Sequence, residues 1–171
     1  MNIREATPAD ARAIATIHVQ SWRAAYHGIV PAEYLQSLSI DRREAVWREL
    51  LSNKASETFV AEYQGGVQGW INIGKSRDAD AHSQTGEVWA LYVDPACWGQ
   101  GIGTTLWAEA MKRFALSGFA EATLWVLRDN QRAIRFYQAT GFQVENGTEQ
   151  ILDFGGTKRI EIRMRRLLST G

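Results

Sequence analysis

Three closely spaced glycines, Gly99, Gly101 and Gly103, follow the apolar run Glu87-Val-Trp-Ala-Leu-Tyr-Val93 and an Asp94-Pro95 turn, and they open a segment of helical period. That order builds an anion cradle. Backbone N–H groups at a helix N-terminus lack intrahelical partners and carry the positive end of the helix dipole, and glycine removes the Cβ that would hold a phosphate away. The cradle suits a pyrophosphate. A turn that merely joins strand to helix can also be glycine-rich, so the reading rests on strand, turn and helix falling in register. Two common phosphate motifs are excluded. A Walker loop needs Gly-Lys-Ser/Thr, and no lysine follows these glycines. A dinucleotide fingerprint needs G-x-G-x-x-G and an acidic residue ending the next strand; here the third glycine comes one residue early, and Glu121 precedes a strand.

Other chemistries find little support. Cys97 is the single cysteine, which excludes an internal disulfide and a cysteine-based metal site; the three histidines lack ligand spacing, so no metal is expected. No histidine or lysine beside Cys97 marks it as a nucleophile, and it reads as a filler position. Lys plus Arg number 19 and Asp plus Glu 19, a balance without the electrostatic footprint of a nucleic-acid or membrane-surface binder. No apolar run approaches the ~20 residues of a membrane span, and the charged start Met1-Asn-Ile-Arg-Glu lacks a signal-peptide core. A cytoplasmic protein is expected.

The elements that must position the cradle are legible in outline. Asn2 to Ala6 reads as a strand. Thr7-Pro8 opens a helix to about Tyr26, Gly28 ends it, Pro31 to Leu38 holds a short helix, and Asp41 to Leu51 a third. Thr58–Tyr63 and Val67–Ile73 form a hairpin across Gln64-Gly65-Gly66. Lys75 to Thr85 is a polar loop. Gly86 to Val93 is a fourth strand, and a helix runs from the glycines to about Ser117 with Ile102, Leu106, Ala110 and Phe114 on one face. Glu121 to Leu127 is a fifth strand. Asp129 or Asn130 caps a helix that Gly141 closes. Val144–Phe154 and Thr157–Leu167 make a last hairpin across Gly155-Gly156. With no repeat and no dividing linker, residues 1–171 are expected to form a single domain.

The segment Trp98-Gly-Gln-Gly101-Ile-Gly103 resembles the Gln/Arg-x-x-Gly-x-Gly/Ala coenzyme A loop of the GNAT acetyltransferases, with Trp98 departing from the pattern at its first position. Asn130-Gln-Arg-Ala-Ile-Arg-Phe-Tyr137-Gln-Ala-Thr-Gly-Phe142 resembles the N-x-x-A-x-x-F/L-Y-x-x-x-G-F signature of the same family. The element order is also similar over essentially the whole chain. The resemblance implies an α/β (α+β) GNAT fold: a central mixed, mostly antiparallel sheet of about seven strands, splayed between strands four and five and flanked by helices. It implies an N-acetyltransferase that moves the acetyl group of acetyl-CoA to a primary amine of a small molecule or peptide through a ternary complex. Acetyl-CoA is then the co-substrate, no metal is needed, and a homodimer stays open.

Carried onto this chain, the resemblance assigns the coenzyme to Leu91, Tyr92, Val93, Trp98, Gly99, Gln100, Gly101, Ile102, Gly103, Thr104, Asn130 and Tyr137. Backbone groups of Leu91, Tyr92 and Val93 would pair the pantetheine arm as an added strand, and a bulge would aim the Leu91 N–H at the thioester oxygen. Tyr137 takes the general-acid position, although a core aromatic would fit the same helix face. Glu87 takes the base position, walled by Val-Trp-Ala-Leu in a niche that favours proton uptake, with ordered water as the competing base. His18, Trp22 and Tyr26 share one helical stripe. Trp22 and Tyr26 are expected to wall the acceptor cleft, with Asn72 and Trp125 opposite. Two other readings remain: a coenzyme-A-binding regulatory module without turnover, and a nucleotide-binding oxidoreductase, which the glycine spacing and the N-terminal helical pair disfavour.

Overall fold

Arg4, on strand β1 (Asn2–Glu5), grips Asp10 with two 2.8 Å hydrogen bonds and holds its carboxyl at about 2, below the usual range. The same carboxylate accepts from the Thr7 N–H and hydroxyl, so Thr7-Pro8 begins a 3-10 turn, Pro8–Asp10, and α1 (Ala11–Ala25) follows it. The expected single helix from Pro8 is therefore a tight turn and then an α-helix. The computed structural model describes residues 1–168. Its further elements are α2 (Ala32–Ser37), α3 (Ile40–Asn53), β2 (Glu57–Tyr63), β3 (Gly66–Lys75), β4 (Thr85–Val93), α4 (Ile102–Leu116), β5 (Glu121–Leu127), α5 (Gln131–Ala139), β6 (Gln143–Val144), β7 (Gln150–Phe154) and β8 (Thr157–Leu167).

These strands form one sheet in the order β1-β2-β3-β4-β5-β8-β6, with β7 on the same side of β8 as β6. Neighbours are antiparallel except β4 and β5, which run parallel. The sheet has eight strands where about seven were expected, because the anticipated strand Val144–Phe154 is two strands. A turn at Asn146-Gly147, with Gly147 at φ +81, separates them. The two-residue hairpin turn Gln64-Gly65 has both φ values positive, as expected of a right-twisted hairpin.

Apolar periodicity decides the layers. Ile14, Ala15 and Ile17 of α1 pack with Trp47 and Leu51 of α3 and with Trp70 on one face of the sheet. Ile102, Leu106, Ala110 and Phe114 of α4, with Ile134 and Tyr137 of α5, cover the other face over Ile71, Val88, Leu124 and Met164. No helix among the described residues is long and apolar enough to cross a membrane.

Two irregularities shape the middle of the sheet. Asn72 pairs with Ala90 but Ile73 with Val88, so Trp89 is an extra residue in β4. The parallel β4–β5 ladder runs from Thr85–Glu121 to Val88–Leu124 and stops, although both strands continue. Beyond that point β4 stays paired to β3, and β5 to β8. The opening between them is where the two clefts described next meet.

Candidate active site

On the α4–α5 side of the opening lies a cleft of about 460 Å³. It is lined by Leu91, Tyr92 and Val93 of β4, by the glycine loop, and by Asn130, Arg132, Phe136 and Tyr137. Gly101 sits at φ +81 as the N-cap of α4, a conformation that L side chains adopt only under strain, and no side chain caps that helix end. The N–H groups of its first turn are therefore open toward the cleft mouth. Gly103 has an ordinary φ; a Cβ there would touch Phe136 at 3.6 Å and Val93 at 3.8 Å. Of the residues assigned to this side by sequence, all but one line the cleft. Gln100 is exposed, and its amide turns back to the Ala96 carbonyl.

Trp98 explains its own departure from the loop pattern. Its indole N–H donates to the Val93 carbonyl at 2.8 Å, and its ring carries the Arg132 guanidinium, whose carbon lies 3.4 Å from the ring centroid. Burial depresses the Arg132 pKa. The side chain that resembles a lost phosphate contact thus holds a cation delivered by α5. Sequence reasoning missed Arg132, though its place two residues after the capping Asn130 was visible.

The backbone of β4 is only partly open. The Val93 carbonyl accepts from Trp98 and from Ser21 Oγ at 2.9 Å, so it has no lone pair left for an added strand, contrary to expectation. Asp94 N–H donates to Gln68 on the β3 side. Alternation along the strand then turns the Leu91 N–H and C=O away from β3, into the opening.

Tyr137 is held by α5, which starts at Asn130, whose side chain accepts from Ala133 N–H, and ends where Gly141 at φ +92 lets Phe142 N–H reach the Tyr137 carbonyl. The ring is 9% exposed, and burial raises the phenol pKa well above its usual value, with Tyr26 adding to the rise. Asn130 serves both as helix cap and as cleft wall.

A second cleft, of about 550 Å³, lies on the α1 side and shares Tyr26 and Tyr92 with the first. Tyr26 lines the first cleft together with Asn130 and Tyr92, and the Tyr92 hydroxyl accepts from the Trp22 indole at 2.9 Å. Trp22, Tyr26 and Trp125 line this cleft together. Asn72 does not. It is buried, and its amide donates to Ser56 Oγ, the Glu57 carbonyl and Thr58 Oγ1, tying β3 to the start of β2.

His18 also lines the cleft; burial lowers its pKa to about 3, Arg43 adding to the effect, and neither ring nitrogen has a partner in the protein. The imidazole is therefore neutral near pH 7 and stacks on Tyr92 at 5.0 Å.

Glu87 faces the same cleft and is 1% exposed, but it is not alone. The Arg77 N–H donates to one of its oxygens at 2.8 Å, and the Arg77 guanidinium engages both. Sequence reasoning placed Glu87 in a niche and missed this partner ten residues upstream. Glu161, on β8 opposite Leu127, lines the cleft without a hydrogen-bond or ion-pair partner among the described residues. Burial raises its pKa; Arg77 opposes the rise and Glu87 reinforces it.

The loop between β3 and β4 roofs this side. Asp78 accepts from the Trp125 indole at 3.0 Å and from Arg163 at 3.1 Å, while Arg163 also takes Asp80 and Glu145. Arg163 is 4% exposed, so this polar loop is fastened through a buried cation. Among the described residues no group of three or more acidic, histidine or cysteine side chains is arranged to hold a metal ion.

A family model described as Acetyltransferase (GNAT) family matches residues 16–142. The chain is similar to the uncharacterized N-acetyltransferase YuaI of Bacillus subtilis, 32% identical over 163 residues that cover 95% of this chain and 90% of that protein. It is similar to the spermidine N(1)-acetyltransferase of Thermoplasma acidophilum, 26% identical over 160 residues, covering 90% of this chain and 96% of the other. The solved PaiA N-acetyltransferase of Thermoplasma acidophilum, in complex with coenzyme A, aligns with a TM-score of 0.75 at 25% identity over 97% of this chain and 98% of that one.

The Arg163 cluster yields a direct expectation. In Arg163→Gln the three carboxylates lose their shared cation, which costs about 3 kcal/mol. Amide exchange across residues 76–84 should accelerate by at least about tenfold while the β2–β3 hairpin keeps its protection. Unchanged exchange in the loop would mean that Arg163 does not fasten it.

Proposed function

This chain belongs to the GNAT acetyltransferase family, and from that premise we propose that it transfers the acetyl group of acetyl-CoA to a primary amine by direct attack in a ternary complex. The observation that carries the proposal is the opening between β4 and β5. It joins a cleft with an anion cradle to a cleft with an unpaired carboxylate, through the shared residues Tyr26 and Tyr92. When bound, the coenzyme supplies a thioester: the amine nitrogen forms a bond to the acetyl carbon as the carbon–sulfur bond breaks.

Each end of the coenzyme has a fitting set of residues. The first-turn N–H groups of α4 and the Arg132 guanidinium face the pyrophosphate together. Leu91 offers its N–H to the thioester oxygen as charge develops there, and its C=O to an amide of the pantetheine arm. Tyr137 donates its proton to the departing thiolate, and the second proton released as the nitrogen becomes an amide restores the phenol. A phenol whose pKa is raised by burial arrives fully protonated, as a general acid must.

The base is reassigned on geometry. A carboxylate whose oxygens already accept from Arg77 has little capacity left for an ammonium proton, so Glu87 is the less suitable acceptor. Glu161 is unpaired, and its raised pKa improves its basicity. The ammonium proton passes to Glu161 before or as nitrogen attacks. Glu87 then fixes Arg77, which stacks on Trp89 at 4.5 Å and shapes the cleft wall.

Three measurements test these assignments. Gly103→Asp meets only ordinary contacts, so the fold should persist. The added carboxylate faces the pyrophosphate, and acetyl-CoA affinity by calorimetry should fall at least about a hundredfold. A folded variant with wild-type affinity would remove the cradle from the coenzyme site.

Tyr137→Phe keeps the packing and removes only the hydroxyl. In a thiol-release assay its kcat should drop by about a hundredfold with little change in coenzyme affinity. Full activity would return Tyr137 to the core, and coenzyme binding with no turnover of any amine would make the chain a binding module.

Glu161 is faced by Glu87, Arg77 and Tyr26. Only its deprotonated form accepts a proton, so wild-type kcat/KM should decline as pH falls through its raised value. Glu161→Gln should lose that limb and be most impaired near neutral pH, recovering as the free amine becomes abundant toward ~10.4. Equal loss at every pH would give Glu161 a positioning role, and an intact acid limb would exclude it as the base.

A further inference from the structure

A third cavity takes no part in the proposed reaction. Its volume is about 580 Å³, it lies between the α1–α2 connection, α2 and the start of β8, and it shares no lining residue with either cleft. Ile29, Val30, Pro31 and Leu35 give it an apolar floor, and Arg23 of α1 and Arg159 of β8 bring two guanidiniums to it. No lining residue is acidic.

Neutral partners hold the two arginines in place. Arg23 donates from Nε to the Leu35 carbonyl at 3.2 Å and from Nη2 to the Leu38 carbonyl at 3.1 Å, and it makes no ion pair among the described residues. Arg159 donates from Nε to the Ile29 carbonyl and from Nη1 to the Lys158 carbonyl at 3.2 Å. Its one acidic neighbour is the exposed Asp129 at 3.9 Å, a contact that adds little. A guanidinium carries five N–H donors, so Nη1 of Arg23 and Nη2 of Arg159 keep theirs. Securing carbonyls of the α1–α2 connection accounts for the bonds made. It leaves two positive charges over an apolar floor with no counter-charge.

We infer that this cavity binds a small carboxylate with an apolar body, a medium-chain or aromatic monocarboxylate. A carboxylate matches the fork of donors that either guanidinium offers, the other adds its charge to the same cavity, and the tail takes the floor out of water. Inorganic phosphate gains nothing from that floor, and an amine meets like charge. The floor also backs the acceptor cleft. The N–H groups of Ile29 and Val30 both donate to the Tyr26 carbonyl at 2.9 Å, and Val30 and Leu35 pack in one cluster with Tyr26, Leu127 and Phe154, which line that cleft. A bound carboxylate therefore stiffens the α1–α2 connection from behind the acceptor wall. Binding itself does not depend on the acetyltransferase reading, because neither cleft contributes a residue to the cavity.

The test is calorimetry on the full chain with octanoate, in the absence and presence of coenzyme A. Octanoate should bind at one site with a Kd below about 1 mM, unchanged by the coenzyme. Octan-1-ol, octylamine and inorganic phosphate should each bind at least about tenfold more weakly, the loss expected when a charge-assisted contact or the apolar tail is missing. Arg23→Gln with Arg159→Gln should weaken octanoate at least about tenfold. Gln36→Glu, an exposed change that keeps both arginines and sets a rival carboxylate at the cavity rim, should weaken it at least about threefold. Octanoate should slow amide exchange across residues 27–36. Octanol or phosphate binding as tightly as octanoate would overturn the inference. So would competition with coenzyme A, unchanged octanoate affinity in either folded variant, or protection that appears elsewhere and not across residues 27–36.

Discussion

Everything in this molecule turns on where the β4–β5 ladder stops. A parallel pair that closed along its full length would bury the backbone of Leu91 and leave no passage between the faces of the sheet. The ladder can end at Val88–Leu124 without unravelling, because β4 keeps its hydrogen bonds to β3 and β5 keeps its own to β8. The extra residue Trp89 bends β4 at the point of departure. Tyr26, Tyr92 and Tyr137 then stand about the gap, and helices on both faces cover it so that the unpaired edge is not offered to other chains.

What could be read from sequence was what is local. The glycine loop, the helix opened by Asn130 and closed by Gly141, and both hairpins depend on residues within a few positions of one another, and so they were legible. The broken strand between Val144 and Phe154 was not, since both halves carry strand-like residues and only the turn at Gly147 divides them. Side-chain partnership was the other blind spot. Asn72 is held by Ser56 and Thr58, Glu87 by Arg77, and the Val93 carbonyl by Ser21, which lies 72 positions away in the chain. A motif can place a residue at an opening, but which of its atoms are already occupied depends on how distant segments pack.

Trp98 illustrates how a departure from a family pattern is compensated. The expected polar side chain at that position would reach the phosphate from the loop itself. Here the indole spends its only donor on Val93 and uses its face to orient Arg132 from a different helix. Charge is restored to the site at the cost of burying a guanidinium, whose depressed pKa records the desolvation. An anionic ligand would relieve that cost, so the stack is better suited to the bound state than to the empty one.

The phenols follow the same logic in the opposite direction. Burial raises the pKa of Tyr26, Tyr92 and Tyr137 alike, which keeps all three neutral and able to donate through the working range of pH. Their hydroxyls differ in availability. The Tyr92 hydroxyl accepts from the Trp22 indole, and Tyr26 and Tyr92 line both clefts, so these two wall the clefts from one another. Tyr137 has no side-chain partner of that kind, and its proton is uncommitted. That hydroxyl is not sealed in the core, where only the His18 ring nitrogens and the Trp70 indole lack partners among the described residues, and a phenylalanine would pack the same space equally well. A hydroxyl on a residue that lines the coenzyme cleft is what a leaving thiolate requires and what core packing alone does not.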